Sequence, residues 1–337
     1  MQKNTKPGER LARIIEDFSK LTITVLGDLI ADEFIYGEIS RVSREAPVLI
    51  LRHRGRTVVP GGAGNAIYNL ADLGVTVLPV GVIGDDEPGR LLLHAFRQKH
   101  ISVSGIRRIK GRTTVTKTRV LAGMTHSTRQ QVIRVDREPE TPLDRSSVRD
   151  LVFQTRGYIR ASDALLISDY GYGAATPEIF DMVRSRAPLS GIPVTVDSRY
   201  RTLAYSGVTA ATPNEAELEE GLRTRIAGDN ERLLAAGKSI LTKMKLQSLL
   251  VTRGSDGMVV FQRSTKPVFI PIHGSDEVAD VTGAGDTVIA TYTAALAAGA
   301  DPESAARLAN YAGGIVVMKR GTATATRAEL LRAVMEG

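Results

Sequence analysis

Residues 61–82 read GGAGNAIYNLADLGVTVLPVGV and contain a turn, a helix and a strand in direct succession. Small residues open the stretch, and apolar residues then recur at helical spacing over Ala63–Leu73. A short and almost uninterrupted apolar run follows at Val75–Val82. Because such valine-rich runs are typical of strands that are buried on both faces, the stretch predicts one helix and one strand of an α/β protein.

The same alternation continues along most of the chain. Other apolar runs typical of buried strands are Thr22–Leu26, Ala164–Ile167, Pro193–Val196, Val208–Ala211 and Leu249–Thr252. Helical patterns lie between them at Gly89–Lys99, Ser146–Ile159, Pro177–Arg186, Asn230–Lys243 and Ala284–Ala298. Buried strands that alternate with helices indicate a sheet covered on both faces. We therefore expect an α/β fold with a doubly wound, mostly parallel sheet, in a single domain spanning residues 1–337.

Two segments, residues 34–59 and 106–135, break this alternation. They alternate apolar with polar residues, as in the stretch Thr114–Val120. A period of two predicts strands with one face in water, so we expect a small separate sheet. In an α/β enzyme such a sheet would form a lid over the carboxyl ends of the main strands, where ligands bind. Exposed strand edges in this lid predict pairing with a second copy of the chain, that is, a homodimer.

Composition excludes several protein classes. The chain has 337 residues, of which 42% are hydrophobic, and it has no cysteine. Disorder, a disulfide scaffold and thiolate metal sites are therefore excluded. The charged segment Met1–Lys20 lacks the apolar core of a signal peptide, and no apolar run approaches the roughly 18 residues of a spanning helix. We therefore expect a cytoplasmic protein with no membrane partner.

The formal net charge of +7 indicates an anionic partner, which could be a nucleic acid or a small anion. Basic residues concentrate in the predicted lid, at Arg107, Arg108, Lys110, Arg112, Lys117, Arg119 and Arg129. No aromatic residues for base stacking are interleaved among them, and no nucleic-acid-binding motif is present. We therefore expect small anionic ligands and no nucleic acid.

A glycine-rich segment near the carboxyl end reads DVTGAGDT and spans Asp280 to Thr287. It leads directly into the apolar helical run Val288–Leu296. A glycine-rich turn that opens a helix presents free backbone N–H groups and the positive end of the helix dipole to an anion. Beside a bound phosphate, the Asp286 carboxylate could accept the proton of an attacking hydroxyl. The alternative is a tight turn in which Asp286 only complements the helix dipole.

A second glycine-rich segment, Pro60–Ala66, also opens a predicted helix. The absence of side chains at Gly61 and Gly62 would let a ligand approach the backbone. Asn65 offers both a donor and an acceptor, which suit sugar hydroxyls. Close packing of the helix on the sheet is the structural alternative.

Together these segments resemble the two signature motifs of the ribokinase-like (pfkB) carbohydrate kinases. The resemblance covers essentially the whole chain and includes further motifs in the same order, at Gly27–Asp32, Thr212–Glu217, Val251–Gly257 and Asn310–Thr322. Within the family, the chain is most similar to the heptose 7-phosphate kinase domain of ADP-heptose synthases. The segments responsible are Ile35–Gly37, Ser40–Val48, Thr116–Val120, Ile133–Asp136 and Ser168–Gly171. The chain departs from that pattern at Tyr172 and at Ser198–Arg199, where the relatives have lysine and Pro-Lys.

The resemblance implies an ATP-dependent enzyme with a catalytic base and a sugar site. Asp286 would take the proton of the sugar hydroxyl, and the amides of Gly283, Ala284 and Gly285 would stabilise the moving phosphoryl group. Sugar hydroxyls would bind at Asp32, Gly61, Gly62 and Asn65. A substrate phosphate would bind at Lys117, Arg119 and Arg134, for which the alternative is a solvated basic strand face.

The resemblance also implies sites for the nucleotide and for metal ions. Asn214 and Glu217 match a motif whose acid orients Mg²⁺ through water, although Glu217 could simply lie in the first turn of a helix. Thr252, Gly254, Asn310 and Arg199 would bind ATP. Asp280 and Thr282 match residues that hold a monovalent cation such as K⁺, and anchoring of the loop is the alternative.

The sequence therefore predicts a kinase that phosphorylates the C1 hydroxyl of D-glycero-D-manno-heptose 7-phosphate to the 1,7-bisphosphate, in ADP-heptose biosynthesis. One alternative is a related kinase for another sugar, sugar phosphate or nucleoside, and another is a non-catalytic sugar or nucleic-acid binder. The five histidines, His53, His94, His100, His126 and His273, are isolated from one another. We therefore expect no His-x-Gly-His nucleotidylyltransferase site in these residues.

Overall fold

A computed structural model describes residues 7–124, 129–187, 189, 191–274 and 279–336 of the protein. The helices in these ranges are α1 (Pro7–Asp17), α2 (Ala63–Asp72), α3 (Glu87–Gln98), α4 (Arg145–Ile159), α5 (Pro177–Arg184), α6 (Glu215–Leu222), α7 (Asn230–Lys243), α8 (Ala284–Ala297), α9 (Pro302–Val317) and α10 (Arg327–Glu336). The strands are β1 (Thr22–Gly27), β2 (Leu29–Val42), β3 (Leu49–Gly62), β4 (Thr76–Gly84), β5 (Ile106–Ile109), β6 (Thr116–Gly123), β7 (Gln130–Arg137), β8 (Ala164–Asp169), β9 (Val194–Ser198), β10 (Ala210–Ala211), β11 (Ser248–Thr252), β12 (Met258–Gln262) and β13 (Val268–Ile270). None of the described helices is both long enough and apolar enough to span a bilayer.

Nine of the strands described above form the main sheet, in the order β13-β12-β11-β10-β9-β8-β1-β4-β5. The pairs from β5 through to β11 are parallel, and β12 and β13 join that edge in antiparallel pairing. Chain order runs outward in both directions from β1, which is the pattern of a doubly wound sheet. The predicted α/β fold class is confirmed.

Helices cover both faces of the main sheet, and the side chains of β8 show how. Leu166 belongs to one hydrophobic core, together with residues of α1, α2, α3, α8, α9 and α10. Leu165 and Ile167 belong to a second core, together with residues of α4, α5, α6 and α7. Successive strand residues point to opposite faces, so a sheet that is buried on both sides needs an uninterrupted apolar run. This explains why the apolar runs that predict these strands are almost uninterrupted in the sequence.

A second sheet of four strands has the order β3-β2-β6-β7. Strands β2 and β3 form a long antiparallel hairpin, from the pair Leu29 and Gly62 to the pair Val42 and Leu49. Strand β6 pairs in parallel with β2, and β7 pairs in antiparallel with β6. All eight residues of β7 are exposed, so one edge of this small sheet is open to solvent.

The boundaries of the small sheet differ from those expected. We expected residues 106–135 to lie in the lid, but β5 pairs with β4 at the edge of the main sheet, so that part of the prediction was wrong. The lid strands of this segment begin only at Thr116. Residues 106–109 read Ile-Arg-Arg-Ile, and an edge strand of a main sheet has the same mixture of apolar and polar residues as a lid strand. Periodicity therefore could not assign the strand to a sheet.

The chain passes from the main sheet into the small sheet at the carboxyl end of β1. Strand β2 begins two residues after β1 ends, and β3 returns to this point and leads directly into α2. A Cβ atom at Gly27 would lie 2.3 Å from the Cβ of Ala63, so the start of α2 packs tightly on the end of β1. Helix α2 in turn packs against α8, which brings the two glycine-rich segments together.

Candidate active site

Asp286 lies in the first turn of α8, where its side chain is only 4% exposed. Its Oδ2 accepts a hydrogen bond from Asn65 Nδ2 at 3.0 Å, and its Oδ1 accepts one from the Tyr170 hydroxyl at 2.8 Å. Burial raises the pKa of Asp286 to about 7, although both hydrogen bonds oppose this effect. A carboxyl group with a pKa near neutrality is matched to accepting a proton at physiological pH.

The turn before α8 requires glycine at position 283. Gly283 has a φ of 80°, and a Cβ atom there would lie 2.3 Å from Asn65 Nδ2. The Asn65 amide also donates to the Gly283 carbonyl at 3.1 Å, so one side chain fixes both the turn and the Asp286 carboxylate. The first N–H groups of a helix have no acceptor within the helix, so those of α8 are suited to an anion. The Ala284 amide already donates to the Val281 carbonyl at 3.2 Å.

Asp32 lies on β2 beside the other glycine-rich segment. A Cβ atom at Gly61 would lie 2.2 Å from Asp32 Oδ2, so glycine is needed here to make room for the carboxylate. Arg119 of β6 donates to Asp32 Oδ1 at 2.6 Å, and both side chains are largely buried. Gly62 has a φ of 56° and forms the N-terminal boundary of α2. These contacts place Asp32, Gly61 and Gly62 in one cluster with Asn65.

The predicted phosphate ligands differ in how they are paired. Arg119 is bound to Asp32, and Arg134 forms two hydrogen bonds of 2.8 Å and 2.6 Å with Asp136. Lys117 is only 8% exposed, and burial lowers the pKa of its ammonium group. Among the described residues, that ammonium group has no carboxylate within ion-pair distance. Lys117 is therefore the buried cation of this region that is available to an anionic ligand.

Two tyrosine rings lie close to the Lys117 ammonium group. Its Nζ lies 5.3 Å from the ring centroid of Tyr170 and 5.8 Å from that of Tyr172. Rings at these distances attract a cation through their negative faces. The Tyr172 hydroxyl donates to Glu138 Oε1 at 2.9 Å, which fixes its ring. Tyr172 therefore supplies an aromatic face to Lys117.

Sequence reasoning did not identify Asp28 as an important residue. Its carboxylate accepts hydrogen bonds from three backbone amides of the loop after β8, those of Tyr170, Tyr172 and Ala174, at 2.8–3.0 Å. Burial raises the pKa of Asp28 to about 6, and the amides oppose the rise. Asp28 thus fixes the loop that carries Tyr170. The contact joins residues more than 140 positions apart, so local spacing could not have found it.

Asn214 and Glu217 form a capping box at the start of α6. The Glu217 amide donates to Asn214 Oδ1 at 2.8 Å, and the Asn214 amide donates to Glu217 Oε2 at 2.9 Å. This reciprocal arrangement satisfies two helix N–H groups, so both residues have a structural role. Thr252 lies beside Asn214 in an isolated parallel bridge.

Asp197 is a further acidic residue that sequence reasoning missed. Burial raises its pKa well above the usual range, and the nearby carboxylates of Glu217 and Asp286 add to the rise. Burial also raises the pKa of Glu217, and Arg199 opposes that rise. No group of three or more potential metal ligands occurs among the described residues. A pair of neighbouring carboxylates nevertheless suits a hard cation that keeps most of its ligands as water and phosphate.

Gly254 and Asn310, two further predicted nucleotide residues, lie in a short turn and on a helix respectively. Gly254 has a φ of 57° in the short turn Gly254–Asp256, and a Cβ atom there would meet open space. Asn310 of α9 donates to the Pro271 carbonyl at 2.8 Å, which ties the loop after β13 to the helix.

Asp280 holds the glycine-rich loop in place. Its Oδ1 accepts the Thr282 amide at 2.9 Å, and its Oδ2 accepts the Gly321 amide at 3.0 Å. These bonds lower the pKa of Asp280 against the effect of its burial. Both carboxylate oxygens therefore anchor the loop, as in the structural alternative for Asp280 and Thr282.

Comparison with known proteins identifies relatives along the whole chain. The family model described as pfkB family carbohydrate kinase matches residues 22–329. The chain is 39% identical to the bifunctional protein HldE of Mesorhizobium japonicum, over 99% of this chain and 66% of the relative. It is 41% identical to the protein of the same name from Geobacter sulfurreducens, over 91% of this chain and 61% of the relative. The chain thus spans just under two thirds of the length of these curated relatives.

Solved structures resemble the fold. Ribokinase of Arabidopsis thaliana, solved with ribose and ATP, aligns with a TM-score of 0.72 and 19% identity, over 93% of this chain and 98% of that one. Phosphofructokinase-2 of Escherichia coli, solved with substrates and products, aligns with a TM-score of 0.75 and 18% identity, over 94% and 99%. At these identities the likeness concerns the fold alone.

Proposed function

The chain belongs to the pfkB family of carbohydrate kinases, and from that premise we propose that it phosphorylates the C1 hydroxyl of D-glycero-D-manno-heptose 7-phosphate. The family implies the use of ATP with a divalent metal ion. Asp286 carries the proposal, because its buried carboxylate is fixed by Asn65 and Tyr170 at the start of a helix. The product would be the 1,7-bisphosphate, an intermediate of ADP-heptose biosynthesis. Since ATP is an intracellular metabolite, we place the reaction in the cytoplasm.

In the proposed reaction the C1 oxygen of the sugar forms a bond to the γ-phosphorus of ATP. The bond between that phosphorus and the β–γ bridging oxygen breaks, and ADP leaves. The proton of the hydroxyl passes to the Asp286 carboxylate. Backbone N–H groups of Gly283 and Gly285 would stabilise the charge of the transferred phosphoryl group, and the Ala284 N–H would join them once it is released from the Val281 carbonyl.

We assign the 7-phosphate of the substrate to Lys117. A buried ammonium group without a carboxylate partner favours an anionic ligand, because the ligand restores the interactions that the ammonium lost with water. Arg134 and Arg119 lie on the same small sheet and add positive potential. The sugar hydroxyls would contact Asp32, Asn65 and the exposed backbone of Gly61 and Gly62.

For the nucleotide side we propose Asn214, Thr252, Gly254, Asn310 and Arg199, with Mg²⁺ as the divalent ion. Asp197 and Glu217 would hold this ion largely through water, and the ion would neutralise charge on the ATP phosphates. A monovalent cation such as K⁺ is proposed at Asp280 and Thr282.

Release of ADP tests the substrate assignment. Purified protein is supplied with Mg·ATP and, in turn, heptose 7-phosphate, fructose 6-phosphate, fructose, ribose or adenosine. We expect the highest kcat/KM with heptose 7-phosphate, and Asp286→Asn serves as the inactive control. Equal kcat/KM for heptose 7-phosphate and the unphosphorylated sugars would contradict the assignment.

A lysine variant tests the proposed phosphate site in the same assay. Lys117→Met keeps the length of the side chain but removes its charge. We expect KM for heptose 7-phosphate to rise about tenfold or more, since a hydrogen bond to a charged group contributes about 1.5–3 kcal/mol. Lys110→Met, at an exposed position after β5, is the matched control. An unchanged KM in Lys117→Met would remove Lys117 from the site.

A further inference from the structure

Tyr170 connects the loop after β8 to the catalytic carboxylate. Its hydroxyl donates to Asp286 Oδ1 at 2.8 Å, while Asn65 donates to the other oxygen at 3.0 Å. Each carboxylate oxygen therefore receives one hydrogen bond and keeps a lone pair for a further proton. Two donors on opposite oxygens also prevent the carboxylate from rotating.

The position of Tyr170 is itself fixed on two sides. Its backbone amide donates to Asp28 Oδ2 at 2.9 Å, and the same carboxylate holds the next turn of the loop through Tyr172 and Ala174. The face of its ring lies 5.3 Å from the Lys117 ammonium. The residue thus contacts the base through its hydroxyl and the buried cation through its ring.

We propose that Tyr170 is a positioning residue for phosphoryl transfer, and that its hydroxyl holds the Asp286 carboxylate in its ionised, receiving orientation. The inference rests on the proposed function only in naming Asp286 as the base. Of the two donors, Asn65 also bonds the Gly283 carbonyl and lies in a network with Asn69, so its loss would disturb the packing of α2 on α8. Tyr170 is the donor that can be removed by deleting a single oxygen atom.

Other charged groups also lie near Asp286, and some favour its ionisation while others disfavour it. The carboxylates of Asp32 on β2 and Asp197 on β9 disfavour ionisation of Asp286, while the Lys117 ammonium on β6 favours it. The Tyr170 hydroxyl stays protonated, because burial and Asp286 raise its pKa well above its usual range. It therefore remains a hydrogen-bond donor throughout the working pH range, and its removal changes one interaction without changing any charge.

The variant Tyr170→Phe tests the inference by direct titration of Asp286. The protein is labelled with ¹³C at the aspartate carboxyl carbons, and the resonance that disappears in Asp286→Asn identifies the group. A hydrogen bond to the ionised carboxylate favours ionisation. Loss of the bond from Tyr170 should therefore raise the titration midpoint of Asp286, by about 1–2 pH units for a bond to a charged group. Because no substrate is present, this result does not depend on which sugar the enzyme uses.

Tyr205→Phe is the matched control, because the Tyr205 hydroxyl is a buried donor to another carboxylate, Asp169 Oδ2, at 2.9 Å. We expect the Asp286 midpoint to rise in Tyr170→Phe and to stay at its wild-type value in Tyr205→Phe. A midpoint that does not move in Tyr170→Phe, or that moves equally in both variants, would overturn the inference.

Kinetics supply the second measurement. In Tyr170→Phe we expect kcat to fall on the order of tenfold at pH 7 and to recover as the pH rises, with KM for the sugar unchanged. A rise in KM with an unaltered pH profile would mean that Tyr170 only shapes the pocket. If wild-type protein phosphorylates none of the sugars tested while the titration shift is present, the proposed function fails and the positioning role stands.

Discussion

At the scale of single residues, Asp286 shows how burial changes the pKa of the proposed base. An exposed aspartate would be a weak base at neutral pH, whereas burial raises the pKa of Asp286 to about 7. Asn65 and Tyr170 limit this rise and fix the orientation of the carboxylate. The residue is therefore both partly ionised at physiological pH and able to accept a proton.

Substitution of this carboxylate should separate activity from stability. We predict that Asp286→Asn lowers kcat by about 10²–10⁴-fold, the usual contribution of general-base catalysis. KM for the sugar should change little, because Asp32 and Lys117 are untouched. Steady-state kinetics measure both parameters. Asp301→Asn, at the start of α9, is the control for removal of a structural carboxylate. Retention of kcat within a few-fold in Asp286→Asn would exclude Asp286 as the base.

The pH dependence of stability gives a second prediction for Asp286. Its pKa rises from 3.8 to about 7 on folding, so the folded state favours the neutral carboxyl group. This contribution is fully present below about pH 4 and is lost as the pH rises through 7. Between about pH 4 and pH 7, the free energy of unfolding of the wild type should therefore fall relative to that of Asp286→Asn. The fall should be at most about 1.4 kcal/mol per pH unit. Urea unfolding at pH 5 and pH 8 measures the difference, and a constant difference would contradict the assigned pKa.

At the scale of helices and strands, α6 combines a structural and a proposed functional role in one residue. The Glu217 carboxylate closes the capping box with Asn214, and it also lies near Asp197 in the proposed metal region. Because a capping box needs only a hydrogen-bond acceptor while a metal ion needs negative charge, a neutral isostere distinguishes the two roles.

We predict that Glu217→Gln leaves thermal stability near that of wild type but raises, by several-fold, the Mg²⁺ concentration needed for half-maximal activity. Glu217→Ala should also destabilise the protein, by about 1 kcal/mol, because it removes the hydrogen bond that the Glu217 carboxylate accepts from the Asn214 amide. Magnesium titrations of activity and thermal unfolding measure the two effects. If Glu217→Gln and wild type require the same Mg²⁺ concentration, Glu217 acts only as a helix cap.

The helices and strands that the sequence predicted best are those marked by patterns of neighbouring residues. The helix at Ala63 and the helix at Ala284 were found from glycine-rich turns followed by apolar periodicity, and the structure starts both helices at these residues. Strand β5 was assigned to the wrong sheet, because pairing with β4 depends on contacts distant in sequence. Asp28, Tyr170 and Asp197 escaped notice as site residues for the same reason. Each acts through partners that lie far along the chain.

At the scale of the whole molecule, the two sheets carry different residues of the proposed site. The main sheet and its helices bury two hydrophobic cores and fix Asp286, while the small sheet carries Lys117 and Arg119. The outer strand β7 exposes apolar side chains, with Ile133 54% exposed. Unpaired strand edges with apolar side chains favour association with another strand. We therefore propose that the small sheets of two copies pair in a homodimer.

A charged residue on β7 tests this assembly. We predict that the wild-type protein has the mass of a dimer in solution and that Ile133→Lys has the mass of a monomer, because a buried lysine opposes association. Light scattering after size exclusion measures both masses. Phe153→Lys is the control, since Phe153 is 75% exposed on α4, outside the small sheet. A monomeric wild-type protein would contradict the proposal.

The proposed site has three parts: Asp286 as the base, Lys117 as the buried cation, and Asp197 with Glu217 on the nucleotide side. Asp286 interacts electrostatically with both Lys117 and Asp197. With the proposed substrates, ATP and a sugar phosphate, the anions that this arrangement would bind agree with the positive net charge of the chain.

The position of the new phosphate tests this account most directly. ³¹P NMR follows a reaction of heptose 7-phosphate with Mg·ATP, and proton coupling identifies the carbon that carries each phosphate. We predict a new phosphorus resonance coupled to the anomeric proton, formed in equal amount to ADP and absent with Asp286→Asn. Formation of ADP without an anomeric phosphate, or the same product from Asp286→Asn, would contradict the account.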